Sequence, residues 1–293
     1  MKRILYSFIS LIRNILNLPL ILLLNLGNIY AKLLKLIDWR NHNNFWPEIL
    51  SKKIDESKSK ILLSNNPEKF IEFYTPTKIA GYRIKTFFKK EPETIAWMDR
   101  LGRKDSILFD IGSNMGGYSI YFAKKFDAQV YSFEPSFKNL ELMIKNLKLN
   151  NLQNNISVIS NPLCDKFRFS KFVQNDFVSA QAKASFLLDQ KDKDEFYSYF
   201  KDKSSEVIYD TLGLSLDNLF EMGLIPLPNL IKIDVDGNEL KILWGAKKIL
   251  KNTKKLSMLI EVRDQTEKLI NEELSEMGFI KILSARDNQI WEK

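Results

Sequence analysis

The sequence predicts a doubly wound α/β domain, and three observations carry that prediction. From Ser106 onward, short apolar runs alternate with segments of helical period. One run leads directly into a glycine turn and a helix, at Phe109-Asp110-Ile111-Gly112-Ser113-Asn114-Met115-Gly116-Gly117-Tyr118. The next run ends on an acid, Glu134, followed by Pro135. Strands that alternate with helices imply a parallel sheet covered on both faces.

In chain order, residues 39–60 are polar and mixed, with a short helix over 46–58, and residues 61–90 read as short strands and turns broken at Tyr74-Thr75-Pro76-Thr77. Glu91-Pro92-Glu93-Thr94 opens a helix to Leu101, since proline suits the first helical turn and early acids favour a helix N-terminus. Ser106–Ile111 reads as a strand, Met115–Phe126 as a helix, Ala128–Glu134 as a strand, Ser136–Asn150 as a helix and Ile156–Ser160 as a strand. Residues 166–210 are less regular and read as a hairpin with an exposed insertion, charged and aromatic over Asp189–Asp202. A short helix over Leu216–Met222 follows, then strand Leu230–Val235, helix Glu239–Leu250, strand Leu256–Val262 and helix Thr266–Met277. Phe279–Leu283 and Gln289–Glu292 close the chain as a hairpin. The organisation is an N-terminal helical extension over 1–60, a lead-in segment over 61–105 and the main domain over 106–293.

The N-terminal segment is the most basic part. Residues 1–60 carry ten Lys/Arg and four Asp/Glu, a net +6 out of the chain's +8. With so little excess left elsewhere and no dense basic and aromatic strip, nucleic acid is not an expected partner. Within residues 1–37, Asn14, Asn17, Asn25 and Asn28 fall on one narrow arc at 100° per residue, near Arg3, Ser7, Ser10, Lys32 and Lys35, and the opposite side is Ile, Leu, Phe and Tyr. Four asparagines and Pro19 interrupt a membrane span, and a secretory signal lacks a clear cleavage site. Two readings stay open: a helix lying in a membrane surface, kinked at Pro19, or a helix pair packed on the protein itself or on a second copy, which leaves a homodimer open.

Composition excludes several chemistries. Cys164 is the only cysteine, so no internal disulfide forms and a cytoplasmic setting is expected, on the inner face of a membrane if residues 1–37 bind one. His42 is the only histidine, so a Ser-His-Asp triad would have to use it, and a His/Cys zinc site has too few ligands. Carboxylates, Lys, Arg, Tyr or a cofactor must carry the chemistry.

The glycine turn points to the cofactor. Such a turn lets backbone approach a ligand, and the helix start presents free N–H groups. The dinucleotide fingerprint needs glycine at its third position, where this chain has Asn114, and Asp110 would repel a pyrophosphate. A cationic ligand reverses that argument. The ammonium of S-adenosylmethionine can be held by Asp110, directly or through water, while its carboxylate takes loop N–H groups. Glu134, 22 positions after Gly112, is placed to accept hydrogen bonds from both ribose hydroxyls. The alternative makes Asp110 a turn residue and Glu134 a helix cap.

These motifs, with Glu91-Pro92-Glu93-Thr94, Phe133-Glu134-Pro135, Ser215-Leu216-Asp217-Asn218-Leu219 and Ile231-Lys232-Ile233-Asp234-Val235-Asp236-Gly237-Asn238-Glu239, resemble the FkbM-type methyltransferases over Glu91 to Lys293. The resemblance implies a Rossmann-like class I methyltransferase fold: a mostly parallel, seven-stranded sheet whose last strand is antiparallel, with S-adenosylmethionine over the first two strand ends. It implies O-methylation of a hydroxyl on a sugar, glycolipid or secondary metabolite, so the acceptor is a small molecule, a glycan or a lipid-linked sugar. The chain departs from the family at Asp236, usually Glu, and at Glu261-Val262-Arg263, where the family often has Glu-x-His. The resemblance therefore supplies no histidine base.

The candidate cofactor residues are Asp110, Gly112, Ser113, Asn114, Gly116, Tyr118, Glu134, Pro135, Leu163 and Asp165. Tyr118 either shields the cofactor or packs in the core, and Leu163 and Asp165 either meet the adenine or serve packing. For catalysis, Asp234 and Asp236 at period two beyond the strand and Glu261 closing its neighbour are expected to converge. Asp234 binds the acceptor or takes its proton; a Mg²⁺ bridge is the alternative, and no metal ligands are assigned. The competing reading for Asp234 and Asp236 is capping of the helix at Glu239. Arg263 either orients a substrate anion or pairs with Glu261. At the level of function, the alternatives are an NAD-linked oxidoreductase or epimerase, and a noncatalytic membrane-associated scaffold.

Overall fold

The computed structural model describes residues 51–293 except 65, 175–177, 183, 189–192, 195–196 and 198–205, together with Leu22, Asn25, Leu26 and Ile29. The chain divides into two compact units, Met1–Ser57 and Lys58–Lys293. In the first, Leu22, Asn25, Leu26, Ile29 and residues 51–55 are helical; the rest of the amphipathic stripe, and His42, lie outside the described residues. Among the described residues no helix is long and apolar enough to cross a membrane.

The second unit opens with an antiparallel hairpin, β1 (Lys58–Leu62) and β2 (Phe70–Tyr74). The helix expected over 46–58 thus gives way to strand by Lys58. Turns were expected after Tyr74, but two helices stand there, α1 (Lys78–Lys85) and α2 (Phe87–Lys90). Thr77 caps α1, its side chain accepting from the Ala80 N–H at 3.1 Å. Ala80, Ile84 and Phe87 form the buried stripe at helical spacing. In the sequence Gly81 and the β-branched Ile79, Ile84 and Thr86 hide that period. α3 (Pro92–Leu101) begins on its proline as expected.

The main sheet holds β3 (Ile107–Ile111), β4 (Gln129–Phe133), β5 (Ile156–Ile159), β9 (Leu230–Ile233), β10 (Ser257–Glu261), β11 (Ile280–Ala285) and β12 (Asn288–Glu292). Their order is β11-β12-β10-β9-β3-β4-β5, with β12 antiparallel to both neighbours and the other pairs parallel. This is the doubly wound, seven-stranded sheet with an antiparallel last strand that the sequence leads one to expect. Residues 166–213 build a separate antiparallel sheet, β7-β6-β8, from β6 (Arg168–Gln174), β7 (Ala184–Leu187) and β8 (Val207–Gly213). Most of the charged insertion at 189–202 lies outside the described residues.

Alternation along the strands sorts side chains into two cores. Leu108, Leu230 and Leu259 face one, with Trp97, Met98, α4 (Gly117–Phe126) and α5 (Phe137–Leu149). Phe109, Ile111, Ile231, Ile233, Met258 and Ile260 face the other, with α6 (Leu216–Glu221), α7 (Glu239–Trp244), α8 (Lys247–Asn252) and α9 (Asp264–Glu276). Each residue is buried almost completely, which stabilises by roughly 1.5–3 kcal/mol per large apolar side chain. Asp110 and Lys232 pair across β3 and β9 with the parity of the first core, two charges in a mostly apolar layer with the buried Ser119 and Ser132 beside them.

The single helix expected over 239–250 is broken between α7 and α8. Gly245 lies against the Cys164 carbonyl; a Cβ there would stand 2.1 Å from that oxygen. Gly245→Ala should therefore destabilise by about 1–3 kcal/mol. Gly81→Ala, in α1 with nothing within 4 Å of the new Cβ, should stabilise by roughly 0.5–1 kcal/mol. Urea unfolding of both variants checks the opposite signs.

Candidate active site

Four strand ends meet at the C-terminal edge of the main sheet, the place where an open α/β fold leaves its crevice. β3 runs into the glycine turn, β4 into Glu134 and β9 into Asp234, while β10 ends on Glu261. Gly112 has φ +84°, and a Cβ there would lie 1.8 Å from the Asp234 carbonyl oxygen. The turn thus requires glycine to let the ends of β3 and β9 approach.

Asn114, at φ +52°, is the hub of the loop. Its N–H donates to Glu134 Oε2 at 2.7 Å, its Oδ1 accepts from the Met115 N–H at 2.9 Å, and its Nδ2 donates to the Gln181 carbonyl at 2.9 Å. Asn139 Nδ2 donates to the same carbonyl at 3.0 Å. Thr77 Oγ1 donates to the Ser179 carbonyl at 3.1 Å and Arg83 Nε to the Ala180 carbonyl at 2.8 Å. Residues 179–181 are thereby fastened across one side of the crevice. From behind, Asn146 donates to the Met115 carbonyl and accepts the Tyr74 N–H, tying loop, α5 and β2 together.

The crevice has a cavity volume of about 170 Å³, and Gly112, Asn114, Glu134, Pro135, Leu163, Asp234, Asp236 and Glu261 all line it. An adjoining cavity of about 70 Å³ is lined by Gly112, Ser113, Asn114, Tyr118 and Asp234, with Glu91 and Lys232. Asp110, Gly116 and Asp165 line neither. Strand parity turns Asp110 under the loop, where its Oδ2 accepts from Ser119 Oγ at 2.5 Å. Gly116, at φ +82°, starts α4 against Met143. Asp165 is held by Arg168 at 2.7 and 3.0 Å. Tyr118 is partly buried against Phe87, and its hydroxyl donates to Glu91 Oε2 at 2.8 Å.

β9 stops at Ile233, so Asp234 to Asp236 are loop rather than strand, and Asp236 has φ +61°. The period-two argument fails there, although both carboxylates reach the crevice. Nor do they cap the next helix. Glu239 turns back to accept the Val235 and Gly237 N–H groups at 3.2 and 3.0 Å. The residue at the cap position, Asn238, donates instead to Ser185 and Phe186. Arg263 lies 3.7 Å from Asp236.

The electrostatic centre is Lys232, which sequence reasoning did not single out. Its ammonium is buried, donates to Asp234 Oδ2 at 2.8 Å and lies 5.2 Å from the Tyr118 ring centre. Burial opposes its charge, but Asp234, Asp110 and Glu91 together hold its pKa above the ordinary lysine value. Against burial, Lys232 also holds Asp234 and Glu91 below the usual carboxylate range. Asp110 goes the other way, because its burial outweighs Lys232. Burial pushes Glu134 up to about 7 even though Ser136 and Asn114 donate backbone N–H groups to it. Burial, then Asp234, Glu239 and Asp236, push Glu261 up to about 8. Among the described residues no three His, Cys, Asp or Glu side chains gather as a metal site.

Other residues missed from sequence are Arg83, Lys90, Asn139 and Gln181, all lining the crevice. Lys232 had a signal: a charge inside the apolar run Leu230–Ile233, at the parity of Asp110 and Asp234. Arg83 and Gln181 had none, because long-range packing places them.

The family model described as "Methyltransferase FkbM domain" matches residues 110–281. A curated relative, hexuronic acid methyltransferase AglP of Haloferax volcanii, is 24% identical over 169 residues, 56% of this chain and 59% of its own length. The chain thus spans less than two thirds of that relative. Among solved structures, methyltransferase FkbM from Methylobacillus flagellatus KT is 17% identical with a TM-score of 0.44, covering 65% of this chain and 44% of its own. Magnesium protoporphyrin IX methyltransferase from Synechocystis PCC 6803, solved with S-adenosylmethionine bound, is 12% identical with a TM-score of 0.41, covering 74% and 83%.

Two outcomes follow from the charges. Lys232→Met leaves the fully enclosed Asp110 without its cation and removes a partner from the partly exposed Asp234, and should lower the unfolding free energy in urea by up to about 3 kcal/mol. Glu261 and Glu134 hold protons in the folded state that the unfolded chain releases near 4.5. Their stabilising contribution is full below that pH and is lost as pH rises through about 7 to 8. Stability measured across this window should fall less steeply in Glu261→Gln than in the parent chain.

Proposed function

The chain belongs to the FkbM methyltransferase family, and on that premise we propose that it transfers a methyl group from S-adenosylmethionine to a hydroxyl oxygen of a sugar, glycolipid or related metabolite. The observation that carries the proposal is the convergence of the Gly112 turn, Glu134 and the carboxylates of Asp234, Asp236 and Glu261 on one crevice. The relative named a hexuronic acid methyltransferase supports a sugar acceptor.

The residues fit a cationic cofactor. Asp110, Asp234 and Glu91 surround Lys232, and Asp236 adds a further carboxylate to the crevice, so the acids here offer partners to a cationic group. Glu134 spends about three of its roughly four acceptor positions on the Asn114 and Ser136 N–H groups and the Asn139 side chain, which leaves room for a ribose hydroxyl. Asp110 contributes through Lys232 and Asp234 rather than by contact. Pro135 and Leu163 wall the adenine side, and Tyr118 with Ser113 closes the amino-acid side. The cofactor supplies a methyl already activated on a sulfonium, so the protein's task is alignment and removal of one proton.

Asp234 and Glu261 divide that task. Asp234, ionised by its pairing with Lys232, accepts a hydrogen bond from the acceptor hydroxyl and orients it. Glu261, pushed up to about 8, is a stronger base than an ordinary carboxylate and takes the proton in its ionised form, which grows as pH rises toward 8. Asp236, set by Arg263, positions the remainder of the acceptor.

Calorimetry with S-adenosylmethionine and NAD, followed by mass spectrometry of glycans and lipids for the gain of one methyl, tests the reading. S-adenosylmethionine should bind and NAD should not. Glu134→Ala should weaken binding at least about tenfold. Glu261→Gln should bind the cofactor normally and lose about 10²–10⁴-fold in turnover. Binding of NAD without S-adenosylmethionine rejects the proposal; cofactor binding with no methylated product in any extract favours a noncatalytic role.

A further inference from the structure

Beside the crevice, on its α1 side, lies an outer recess of about 200 Å³ lined by Ile79, Tyr82, Arg83, Lys90, Gln181 and Ala182. Among the described residues its only charged ones are the two cations. Arg83, Lys90, Gln181 and Ala182 also line the crevice, so the two spaces adjoin along that edge. None of the glycine turn, Glu134, Asp234 or Glu261 lines the recess.

Arg83 is built as a receptor rather than left as a surface charge. It is half-buried, and its Nε is fixed by the Ala180 carbonyl at 2.8 Å. The terminal guanidinium nitrogens take no protein acceptor among the described residues. A guanidinium held by its Nε with both terminal groups free matches the two oxygens of a carboxylate or a phosphate. Lys90 adds a second cation; its ammonium contacts Glu91 at 2.7 Å and is still 54% exposed. Tyr82, 59% exposed, offers a flat apolar face beside them, of the kind that packs on the C–H face of a sugar ring.

We propose that this recess is the acceptor's anion subsite, and that the acceptor is a sugar bearing a carboxylate or phosphate held by Arg83 and Lys90. The proposal rests on the methyl-transfer reading and deepens it. The charge layout gives the acceptor one orientation. An anionic group is repelled by Asp234 and Asp236 and attracted to Arg83 and Lys90, so it points outward and turns a hydroxyl toward the carboxylates. The residues that select the acceptor then belong to α1 and α2, N-terminal to the 110–281 segment that the family model matches.

A carboxylate also exists on the cofactor itself, and Arg83 and Lys90 line the smaller cavity by the glycine turn too. Titrations of the full chain separate the two sources. The probes are D-glucuronate, its uncharged methyl ester, D-glucose, inorganic phosphate and S-adenosylmethionine. With the parent chain, glucuronate should bind at least about tenfold more tightly than its methyl ester or glucose, and phosphate should compete with it. The Arg83→Ala/Lys90→Ala chain should lose that preference, and Arg83→Lys should keep part of it. Equal binding of glucuronate and its ester by the parent chain overturns the proposal without depending on any variant's folding. So does a preference that survives the double substitution. If the double variant loses S-adenosylmethionine and keeps its glucuronate preference, the anion is the cofactor's own and the acceptor assignment falls. If the parent chain prefers glucuronate but never binds S-adenosylmethionine, the methyl-transfer reading fails and the anion subsite stands.

Discussion

A single ammonium, that of Lys232, organises the end of the sheet. It is enclosed in the layer between the sheet and α4, where water cannot compensate it, and Asp110, Asp234 and Glu91 do so instead. Each of the three comes from a different part of the chain: β3, the loop after β9, and the residue before α3. Burying a charge is tolerable only with partners in good geometry, so the cluster fixes how β3, β9 and the lead-in segment sit together.

The surrounding frame consists mostly of amides. Asn146 of α5 and Asn150 just beyond its end satisfy the open edge of β2, with Asn150 both accepting from and donating to the Glu72 backbone. Asn114 and Asn139 meet on the Gln181 carbonyl. Neutral amides suit this role because they donate and accept without adding charge beside the cluster. The lead-in hairpin and α1 are thus joined to the cofactor loop through a chain of short polar contacts, and the cations of α1 and α2 face the acids of β9 and β10 across the crevice.

Much of this was legible in the sequence because it follows local rules. The strand–helix alternation gave every strand of the main sheet to within a residue or two, and Gly112 and Glu134 stood at the ends where parallel strands deliver ligands. Local rules failed where distant backbone intervened. Gly245 breaks a helix because the Cys164 carbonyl is there, not because of its neighbours. Asp236 left the strand pattern when β9 ended early. Asp110 matched the expected motif, but its parity on β3 turned it under the loop. Arg83 lay in a stretch read as turns, since Gly81 and β-branched neighbours concealed the helix that carries it. For the N-terminal stripe over residues 1–37, little of the segment falls within the described residues.

The way residues 179–181 are held has a consequence for how this chain can change. All four hydrogen bonds there end on main-chain oxygens: those of Ser179, Ala180 and, twice, Gln181. Every amino acid brings that oxygen, so the clasp is indifferent to side-chain identity at its outer positions. Ala180 alone is confined, being fully enclosed with a left-handed backbone at φ +66°. The distinctive letters are on the donors, Thr77, Arg83, Asn114 and Asn139, scattered over some sixty positions of sequence. A latch so constructed can drift in its own spelling while keeping its shape, and it is found by asking where the asparagines and the arginine reach.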